Sequence, residues 1–190
     1  FCLSRGLGDV YKRQLIPCYN EKDTIEQIVA KVLQVPLDLE VIVVDDASKD
    51  GSKEIIESLP KKFGDRVKVF FHPQNGGKGA AVRTALEKSK GEIVVIQDAD
   101  LEYDPYDFVH IVKEFENPNT NVVYGNRWHS KNQRHSYFSF FIGGLFVTFV
   151  TNILYFCNIH DEPTCYKAFR KSTLDSCLLY TSDAADEEDS

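Results

Sequence analysis

Apolar residues recur along the chain in two alternating spacings, one typical of amphipathic helices and the other of buried strands. Helical spacing of isoleucine and valine predicts a helix over residues 23–34, and further helices are predicted at 52–59, around 80–86 and at 105–115. Continuous apolar runs between them predict buried strands at 15–18, 40–45, 67–71, 92–97 and 121–124. Strands that alternate with helices predict an α/β fold with a mostly parallel sheet and helices on both faces.

Polar residues follow three of these predicted strands directly. They are Tyr19-Asn20-Glu21, Asp45-Asp46 and Asp98-Ala99-Asp100. In parallel α/β sheets, ligands bind in the crevice beyond the carboxyl ends of the strands. The sequence therefore predicts a binding site at that edge of the sheet, with carboxylates from three strands.

Asp98 and Asp100 flank one small residue at the end of an apolar strand. In extended chain, residues i and i+2 point to the same side, so both carboxylates can face one ion. Mg²⁺ takes one or two carboxylates together with substrate phosphate oxygens. The pair predicts a divalent cation site, although an acidic turn after a strand accounts equally well for the two residues taken alone.

Two further segments suggest a nucleotide ligand. In VIVVDDASKDGS, one of Asp45 and Asp46 can brace the turn while the other bonds a nucleobase or ribose; Ser48 and Asp50 are interpreted as turn and helix-cap residues. HPQNGGKGAA can cradle phosphate at a helix N-terminus, with Lys78 adding charge, or form a plain glycine turn. It lacks GxxxxGK[ST], and no GxGxxG follows the first strand, which disfavours Walker and dinucleotide-binding folds.

Composition excludes several classes of protein. Hydrophobic residues make up 43% and charged residues 27%, as in globular domains, and the net charge of −7 argues against a general nucleic-acid binder. Both ends, residues 1–14 and 177–190, resemble translated sequencing-adapter read-through and are excluded from fold reasoning, so the acidic tail says nothing about partners. Cys18, Cys157 and Cys165 show no CxxC spacing, which disfavours a zinc site or a disulfide framework.

Four segments taken together, LIPCYNE, VIVVDDASKDGS, NGGKGAA and QDADLEYDP, resemble glycosyltransferase family 2 in their order and spacing. QDADLEYDP, VVYGNRW and DEPTCYKAFR further resemble the polyprenyl-phosphate (dolichyl-phosphate) hexose synthase branch. The resemblance covers about Leu15 to Thr173. It implies a three-layer α/β/α nucleotide-diphospho-sugar transferase fold of the GT-A type, truncated at the C-terminus, in a catalytic domain spanning residues 15–176.

The same resemblance implies a role for each residue of the predicted site. Asp46 would recognise the base, and Asp98 and Asp100 would hold Mg²⁺ or Mn²⁺ against the sugar diphosphate. Glu102 stands where relatives often have Gln, and would add a metal contact. The residues implied to line the nucleotide-sugar pocket are Pro17, Tyr19, Glu21, Asp46, Lys78 and Asp98.

The acceptor side of the site is predicted from later segments. The resemblance places Asp161 as the catalytic base or a positioning group, with Glu162 beside it. Arg127 lies in a matched motif, and an arginine fork suits an anionic acceptor such as a phosphate. The other basic residues of this region are His129, Lys131, Arg134, Lys167, Arg170 and Lys171, of which Lys131, Arg134 and Lys171 are interpreted as solvated surface residues.

Residues 136–159 contain no charge and many aromatic side chains. Twenty-four residues are long enough to span a bilayer, but the run contains several polar residues and separates two motifs that must share one site. We therefore predict a pair of short helices that lie in the membrane interface or pack on the domain, broken at Gly143-Gly144. A buried core helix is the alternative.

These inferences predict an inverting, metal-dependent transferase. It would move a hexose from a UDP-glucose or GDP-mannose type of donor to a polyprenyl or dolichyl phosphate. It would work at the cytoplasmic face of a membrane, either peripherally or anchored by segments outside this chain. The alternatives are a family 2 enzyme acting on a sugar hydroxyl, a sugar nucleotidyltransferase, disfavoured because LIPCYNE has no glycine, and an inactive nucleotide-binding fragment.

Overall fold

A computed structural model describes residues 12–126 and 138–175 of the chain. Six strands form one sheet in the order β3-β2-β1-β4-β6-β5. The strands are β1 (Lys12–Cys18), β2 (Leu39–Asp45), β3 (Val67–Phe71), β4 (Ile93–Ile96), β5 (Val122–Tyr124) and β6 (Lys167–Arg170). The helices are α1 (Ile25–Gln34), α2 (Ser52–Phe63), α3 (Gly77–Lys88), α4 (Phe108–Glu114) and α5 (Phe138–Tyr155), with 3₁₀ turns at Gly64–Arg66 and Pro105–Asp107.

The sheet is mostly parallel, as predicted. β1, β2, β3 and β4 run parallel, and β1 pairs with β2 along its whole length, up to Cys18 opposite Asp45. β6 runs antiparallel to both β4 and β5. The carboxyl ends of β1, β2 and β4 therefore lie side by side, which brings their following loops to one edge.

Helices cover both faces of the sheet, which confirms the three-layer architecture. One buried cluster joins α1 and α2 to Ile16, Val41 and Val43, while a second joins α3 to Leu15 and Ile42. Successive residues of β1 and β2 thus point to opposite faces, and both faces are apolar. This explains why these strands read as continuous hydrophobic runs.

Several elements depart from the predicted bounds. β1 begins at Lys12, three residues before the predicted start, and Lys12 and Gln14 occupy buried strand positions. α2 continues through Pro60 to Phe63 instead of ending at residue 59. Gly51, with a φ of 99°, takes the N-cap position of α2, and Ser52 is its first residue. β6 was not predicted, because four residues with charge at both ends carry little strand signal.

Arg170 was grouped with basic residues beside the acidic edge, and this placement is wrong. β6 is antiparallel to β4, so Arg170 pairs with Ile93 at the opposite end of the sheet. Its guanidinium donates hydrogen bonds to the carbonyl oxygens of Phe115, Asn117 and Thr120 and to the Glu92 carboxylate. Arg170 therefore fastens the end of α4 to the sheet.

α5 is one continuous helix, so the predicted break at Gly143-Gly144 is wrong. A Cβ at Gly143 would meet no atom within 4 Å, and one at Gly144 would lie 3.7 Å from Pro163 Cγ. The predicted alternative of a buried core helix is also wrong, because the described part of α5 and the residue after it expose many large apolar side chains. They are Ile142, Leu145, Phe146, Val147, Phe149, Ile153, Leu154, Tyr155 and Phe156. Within the described ranges, no helix combines the length and apolarity needed to cross a bilayer.

Gly125 follows β5 and is in close contact with Tyr166, the residue before β6. Its N–H donates to the Tyr166 carbonyl oxygen at 2.7 Å, and a Cβ at Gly125 would lie 2.8 Å from Tyr166 Cβ. We expect Gly125→Ala to lower the free energy of unfolding by about 1–3 kcal/mol, because neither strand can move away without breaking this bond. Gly79→Ala is the matched control: its Cβ would meet nothing within 4 Å on α3, so it should be neutral or stabilise by about 1 kcal/mol. Urea denaturation of both variants measures the difference, and equal midpoints would contradict it.

Candidate active site

A cavity of about 360 Å³ opens at the carboxyl ends of β1, β2 and β4. Seven of the residues predicted for nucleotide-sugar and metal binding line it, namely Pro17, Tyr19, Glu21, Asp46, Lys78, Asp98 and Asp100. Cys18, Asn75, Gly77 and Ala99 complete the wall. Side chains more than 80 positions apart in the sequence therefore meet in one cleft, at the edge where α/β folds bind ligands.

Asp46 is buried and joins β2 to the beginning of α3. Its Oδ1 accepts a hydrogen bond from Gly76 N at 3.0 Å and lies 2.7 Å from His72 Nδ1. Its Oδ2 accepts one from Gly77 N at 2.7 Å. Burial alone raises the pKa of Asp46, but the bonds from Gly76, His72 and Gly77 outweigh it and hold the pKa below its usual range.

The glycine-rich segment has a structural role in addition to the phosphate contact predicted for it, which stays a prediction. Two N–H groups at the N-terminus of α3 are already bonded to Asp46, and Gly77 has a φ of 84°, which favours glycine. His72 continues the contact, since its Nε2 lies 2.8 Å from Thr84 Oγ1 on α3. The segment thus anchors Asp46, and its Asn75 and Lys78 line the cavity. His72 carried no sequence signal beyond its place in HPQNGGKG.

Asp45 braces the turn after β2, because its Oδ2 accepts from Ser48 N at 3.2 Å. The interpretation of Asp50 and Ser48 as turn residues is confirmed. Asp50 accepts hydrogen bonds from Ser52 N and Lys22 N, and Ser48 Oγ accepts one from Asn20 N.

The loops after β1 and β2 are bonded to each other. Asn20 Oδ1 accepts from Lys49 N at 2.8 Å, and Ser52 Oγ accepts from Glu21 N at 2.8 Å. Asn20 and Ala47 both have positive φ, at 56° and 61°. Backbone held in this region by its surroundings is common at functional sites. Glu21 bonds Thr24 Oγ1 at 2.8 Å, so this carboxylate also fixes the beginning of α1.

Lys78 and Asp98 form an ion pair inside the cavity, with 2.5 Å between Nζ and Oδ1. Burial lowers the pKa of Lys78, but the hydrogen bond to Asp98 outweighs it and the pKa lies above its ordinary value. Cys165 Sγ lies 3.7 Å from the same Nζ. Burial, followed by the neighbouring Asp98, raises the pKa of Cys165 to about 12, so the thiol is protonated at neutral pH. Sequence reasoning missed Cys165 because it looked only for paired cysteines.

Asp100 lines the cavity, whereas Glu102 is exposed and does not. Asp100 Oδ1 accepts from Glu102 N at 3.1 Å, so the backbone of Glu102 turns the loop. Within the part of the chain that the structure describes, no three His, Cys, Asp or Glu side chains converge as a metal site. Two carboxylates at one cavity still fit a hard divalent cation that takes its other ligands from a substrate and water.

Asp161 lies at a second cavity of about 370 Å³, beside β5. It is 2% exposed, and Tyr124, Asn126 and His160 share the lining with it. Its neighbour Glu162 forms an ion pair with Lys167, at 3.3 Å. Arg127, His129, Lys131 and Arg134 lie outside the described residues, so their predicted roles stay predictions. Lys171 pairs with Asp175, as a surface residue would.

Polar side chains connect the loop that carries Asp98 and Asp100 to the segment between Asp161 and β6. Gln97, directly before Asp98, accepts a hydrogen bond from Tyr166 Oη at 2.9 Å and donates one to the Asp98 carbonyl at 3.0 Å. Tyr103 Oη accepts from Cys165 N at 3.1 Å, and the Tyr103 and Tyr166 rings are 4.6 Å apart. The segment after β4 and the segment before β6 are therefore held in a fixed relation.

The comparisons with known proteins agree with this geometry. An undecaprenyl-phosphate 4-deoxy-4-formamido-L-arabinose transferase from Pseudomonas fluorescens is 31% identical over 127 residues, which is 64% of this chain and 37% of that protein. A mannosyltransferase from Pyrobaculum calidifontis, solved with GDP-Man and Mn²⁺, is 28% identical with a TM-score of 0.57, over 63% of this chain and 37% of the other.

A glucosyl-3-phosphoglycerate synthase from Mycobacterium tuberculosis, solved with Mn²⁺, UDP and phosphoglyceric acid, shares the fold. Its TM-score is 0.68 over 90% of this chain and 59% of the other, at 19% identity. The chain spans about two fifths of the length of the Pseudomonas fluorescens transferase. The family model described as Glycosyl transferase family 2 matches residues 15–178. With this match and its mostly parallel GT-A sheet, the chain belongs to glycosyltransferase family 2.

Proposed function

We propose that this protein transfers a hexose from a nucleotide diphosphate sugar, of the UDP-glucose or GDP-mannose type, to a polyprenyl or dolichyl phosphate. One observation carries the donor half: seven predicted residues, six at the ends of three strands together with Lys78 on α3, line a single cavity. The acceptor half is supported by the similar undecaprenyl-phosphate transferase and by the buried carboxylate at the second cavity.

The base of the donor would lie against the β1 and β2 side of the cavity. Tyr19 is exposed there and offers an aromatic face. Asp46 Oδ2 accepts one hydrogen bond in this structure, and a carboxylate oxygen has room for another donor, such as a base N–H. Because Asp46 is fixed by α3 and His72, it would bind a base without first losing side-chain entropy.

The diphosphate would lie near Lys78, Asp98 and Asp100. Mg²⁺ or Mn²⁺ held by the two carboxylates would neutralise charge on the departing nucleoside diphosphate, as a Lewis acid does. Asp98 is paired with Lys78 without ligand, so donor binding would exchange this pair for Lys78–phosphate and Asp98–cation contacts. Transfer would be an in-line displacement at the anomeric carbon, with inversion.

Asp161 would position the acceptor rather than deprotonate it, since a lipid phosphate is already ionised. Lys167 provides a positive charge near the second cavity. It pairs with Glu162, and its Nζ lies 5.1 Å from the centroid of the Tyr124 ring. Arg127 is proposed as the phosphate-binding fork.

Release of nucleoside diphosphate tests the proposal. The protein is incubated with UDP-glucose or GDP-mannose, Mg²⁺ or Mn²⁺, and polyprenyl phosphate in detergent. We expect nucleoside diphosphate release that depends on both the acceptor and the cation. No turnover with any nucleotide sugar would refute the proposal, while equal release with an alcohol acceptor would refute only the acceptor assignment.

A transferase acting on a sugar hydroxyl is the second candidate, and Asp161 is the observation that favours it. A hydroxyl needs a general base, and a carboxylate that is 2% exposed at a cavity distinct from the donor site suits that task. Under this candidate, Asp161→Asn would abolish transfer to the hydroxyl. Under the lipid phosphate candidate, it would mainly raise the acceptor KM.

We further propose that α5 lies on a membrane surface. Phe146 and Phe149 are 65% and 62% exposed, and the helix carries no charge. Phe156, directly after the helix, has a φ of 50° and is 96% exposed, an arrangement that water alone does not favour. Large exposed apolar patches of this kind mark sites of contact with a membrane or another protein.

Phe146→Ser with Phe149→Ser is expected to weaken binding to lipid vesicles roughly 100-fold or more, because each buried phenylalanine contributes about 1.5–3 kcal/mol and about 1.4 kcal/mol is tenfold. Co-sedimentation with vesicles of phosphatidylcholine and phosphatidylglycerol measures the affinity. Tyr106→Ser is the control, since Tyr106 is an aromatic residue 52% exposed outside α5. An unchanged affinity of the double variant would contradict the membrane proposal.

A further inference from the structure

Two polar side chains on α5 hold the segment that carries Asp161. Asn152 Oδ1 accepts a hydrogen bond from Ile159 N, and its Nδ2 donates one to Ile159 O, both at 2.8 Å. Thr148 Oγ1 accepts from Glu162 N at 3.1 Å and donates to Gly144 O at 2.8 Å. Side chains four residues apart lie on the same side of a helix, so the two contacts act together.

These contacts bracket the buried carboxylate. Ile159 and Glu162 lie on either side of Asp161, and both have backbone N–H groups bonded to α5. Thr148 is buried, whereas Phe146 and Phe149 on the same helix are exposed. One helix therefore carries an apolar surface and a polar clamp on the acceptor segment.

We propose that Thr148 and Asn152 are positioning residues that place Asp161 for the acceptor. The inference rests on the proposed function, because it assigns Asp161 to the acceptor side of that reaction. It adds that the position of α5 determines how well the acceptor is used. A membrane that shifts or steadies α5 would act on Asp161 through the same two side chains.

The two positions allow changes that remove the bonds while keeping the shape. Thr148→Val keeps the volume but removes the acceptor for Glu162 N, and Thr148→Ser restores that acceptor. Asn152→Leu removes both bonds to Ile159. A displacement of about 1 Å in a positioning group costs up to roughly 100-fold in rate. We expect Thr148→Val and Asn152→Leu to lower kcat/KM for polyprenyl phosphate by roughly 10- to 100-fold.

Nucleotide affinity at the donor cavity separates general misfolding from loss of the α5 contacts. Misfolding would weaken it, whereas loss of the contacts made by Thr148 and Asn152 would not. We expect the Kd for UDP or GDP with Mn²⁺, measured by calorimetry, to stay within about twofold, because none of the donor-cavity residues contacts Thr148 or Asn152 among the described hydrogen bonds. Amide exchange at Ile159 and Glu162 should accelerate in both variants. Thr148→Ser should be close to wild type in all three measurements. Asn119→Leu, an exposed asparagine outside α5, is the matched control.

The possible outcomes separate the inference from the function beneath it. Acceptor kcat/KM that is unchanged in Thr148→Val and Asn152→Leu, or that falls together with nucleotide affinity, would overturn the inference alone. Absence of transfer by the unsubstituted protein would overturn the proposed function and the acceptor role of Asp161 with it. In that case, amide exchange would still report whether α5 holds the segment.

Discussion

Replacing Asp98 and Asp100 together with Asn is expected to lower turnover of the nucleotide sugar by roughly 1,000-fold or more. The change keeps the size of both side chains and removes only their charge. Without that charge, these two side chains can no longer hold a divalent cation against a diphosphate. Nucleotide affinity should also lose its dependence on Mn²⁺, which calorimetry of UDP or GDP with and without the ion measures directly.

Lys78 makes the single substitutions informative. In this structure, Lys78 pairs with Asp98 and not with Asp100. Either substitution removes a carboxylate that repels the diphosphate when no metal is bound. Asp98→Asn also frees the Lys78 ammonium, so nucleotide binding without metal should strengthen more than in Asp100→Asn. If Lys78 instead supplied all the phosphate affinity, Lys78→Met would abolish binding with or without Mn²⁺.

Asp65→Asn provides the control for this series. Asp65 is exposed in the 3₁₀ turn before β3, away from the donor cavity, so its loss of charge should leave turnover and metal dependence unchanged. A double variant of Asp98 and Asp100 that turns over normally would contradict the whole proposal for the donor site.

The binding cleft at the carboxyl ends of the strands could be predicted from the sequence because two rules apply to the same strands. Continuous apolar runs indicate strands buried on both faces, and parallel strands place their carboxyl ends at one edge. The residues that follow those runs, such as Tyr19, Asp46 and Asp98, could therefore be assigned to one cleft before their positions were known. They line one cavity in the structure.

Contacts between distant elements could not be read in the same way. That Asp46 binds the first amides of α3 depends on where a helix 30 residues later begins. Arg170 illustrates the same limit, because its charge suggested a phosphate, whereas the antiparallel direction of β6 sends it to the other end of the sheet. Local sequence does not encode strand direction.

α5 shows how a weak local signal loses to helix propagation. A Gly-Gly pair costs about 1 kcal/mol per residue within a helix, and it often marks a break. Here the apolar residues on both sides continue the helix through Gly143, and the Thr148 and Asn152 contacts hold its second half. The contact between Thr148 and Glu162 joins residues 14 positions apart in the sequence. Tertiary hydrogen bonds of this kind outweigh the local cost of the two glycines.

Asp46→Asn is expected to lower the free energy of unfolding at pH 7 by about 3 kcal/mol and to weaken nucleotide binding. The buried carboxylate accepts bonds from Gly76 N and Gly77 N and lies beside His72. An amide of the same shape has only one acceptor oxygen, so one glycine N–H would face an NH₂ group. The anchor of α3 would then be lost, and Lys78 would lose its position one residue later.

The pH dependence of the free energy of unfolding tests separately whether ionised Asp46 stabilises the fold. Because the pKa of Asp46 is lowered in the folded protein, its stabilisation is fully present above the ordinary carboxyl pKa of about 3.9. It is lost as the pH falls through the folded value. The stability gap between wild type and Asp46→Asn should therefore narrow in acid. Urea denaturation at pH 7, 4 and 3 measures the gap, with Asp65→Asn as the control.

A gap that stays constant or widens in acid would show that Asp46 is not the ionised anchor of α3. The nucleotide affinity then decides between two roles for the residue. If Asp46→Asn loses both stability and UDP or GDP binding, one carboxylate holds the helix and shapes the base pocket. If only binding falls, the contacts to Gly76 and Gly77 contribute little, and Asp46 acts on the base directly.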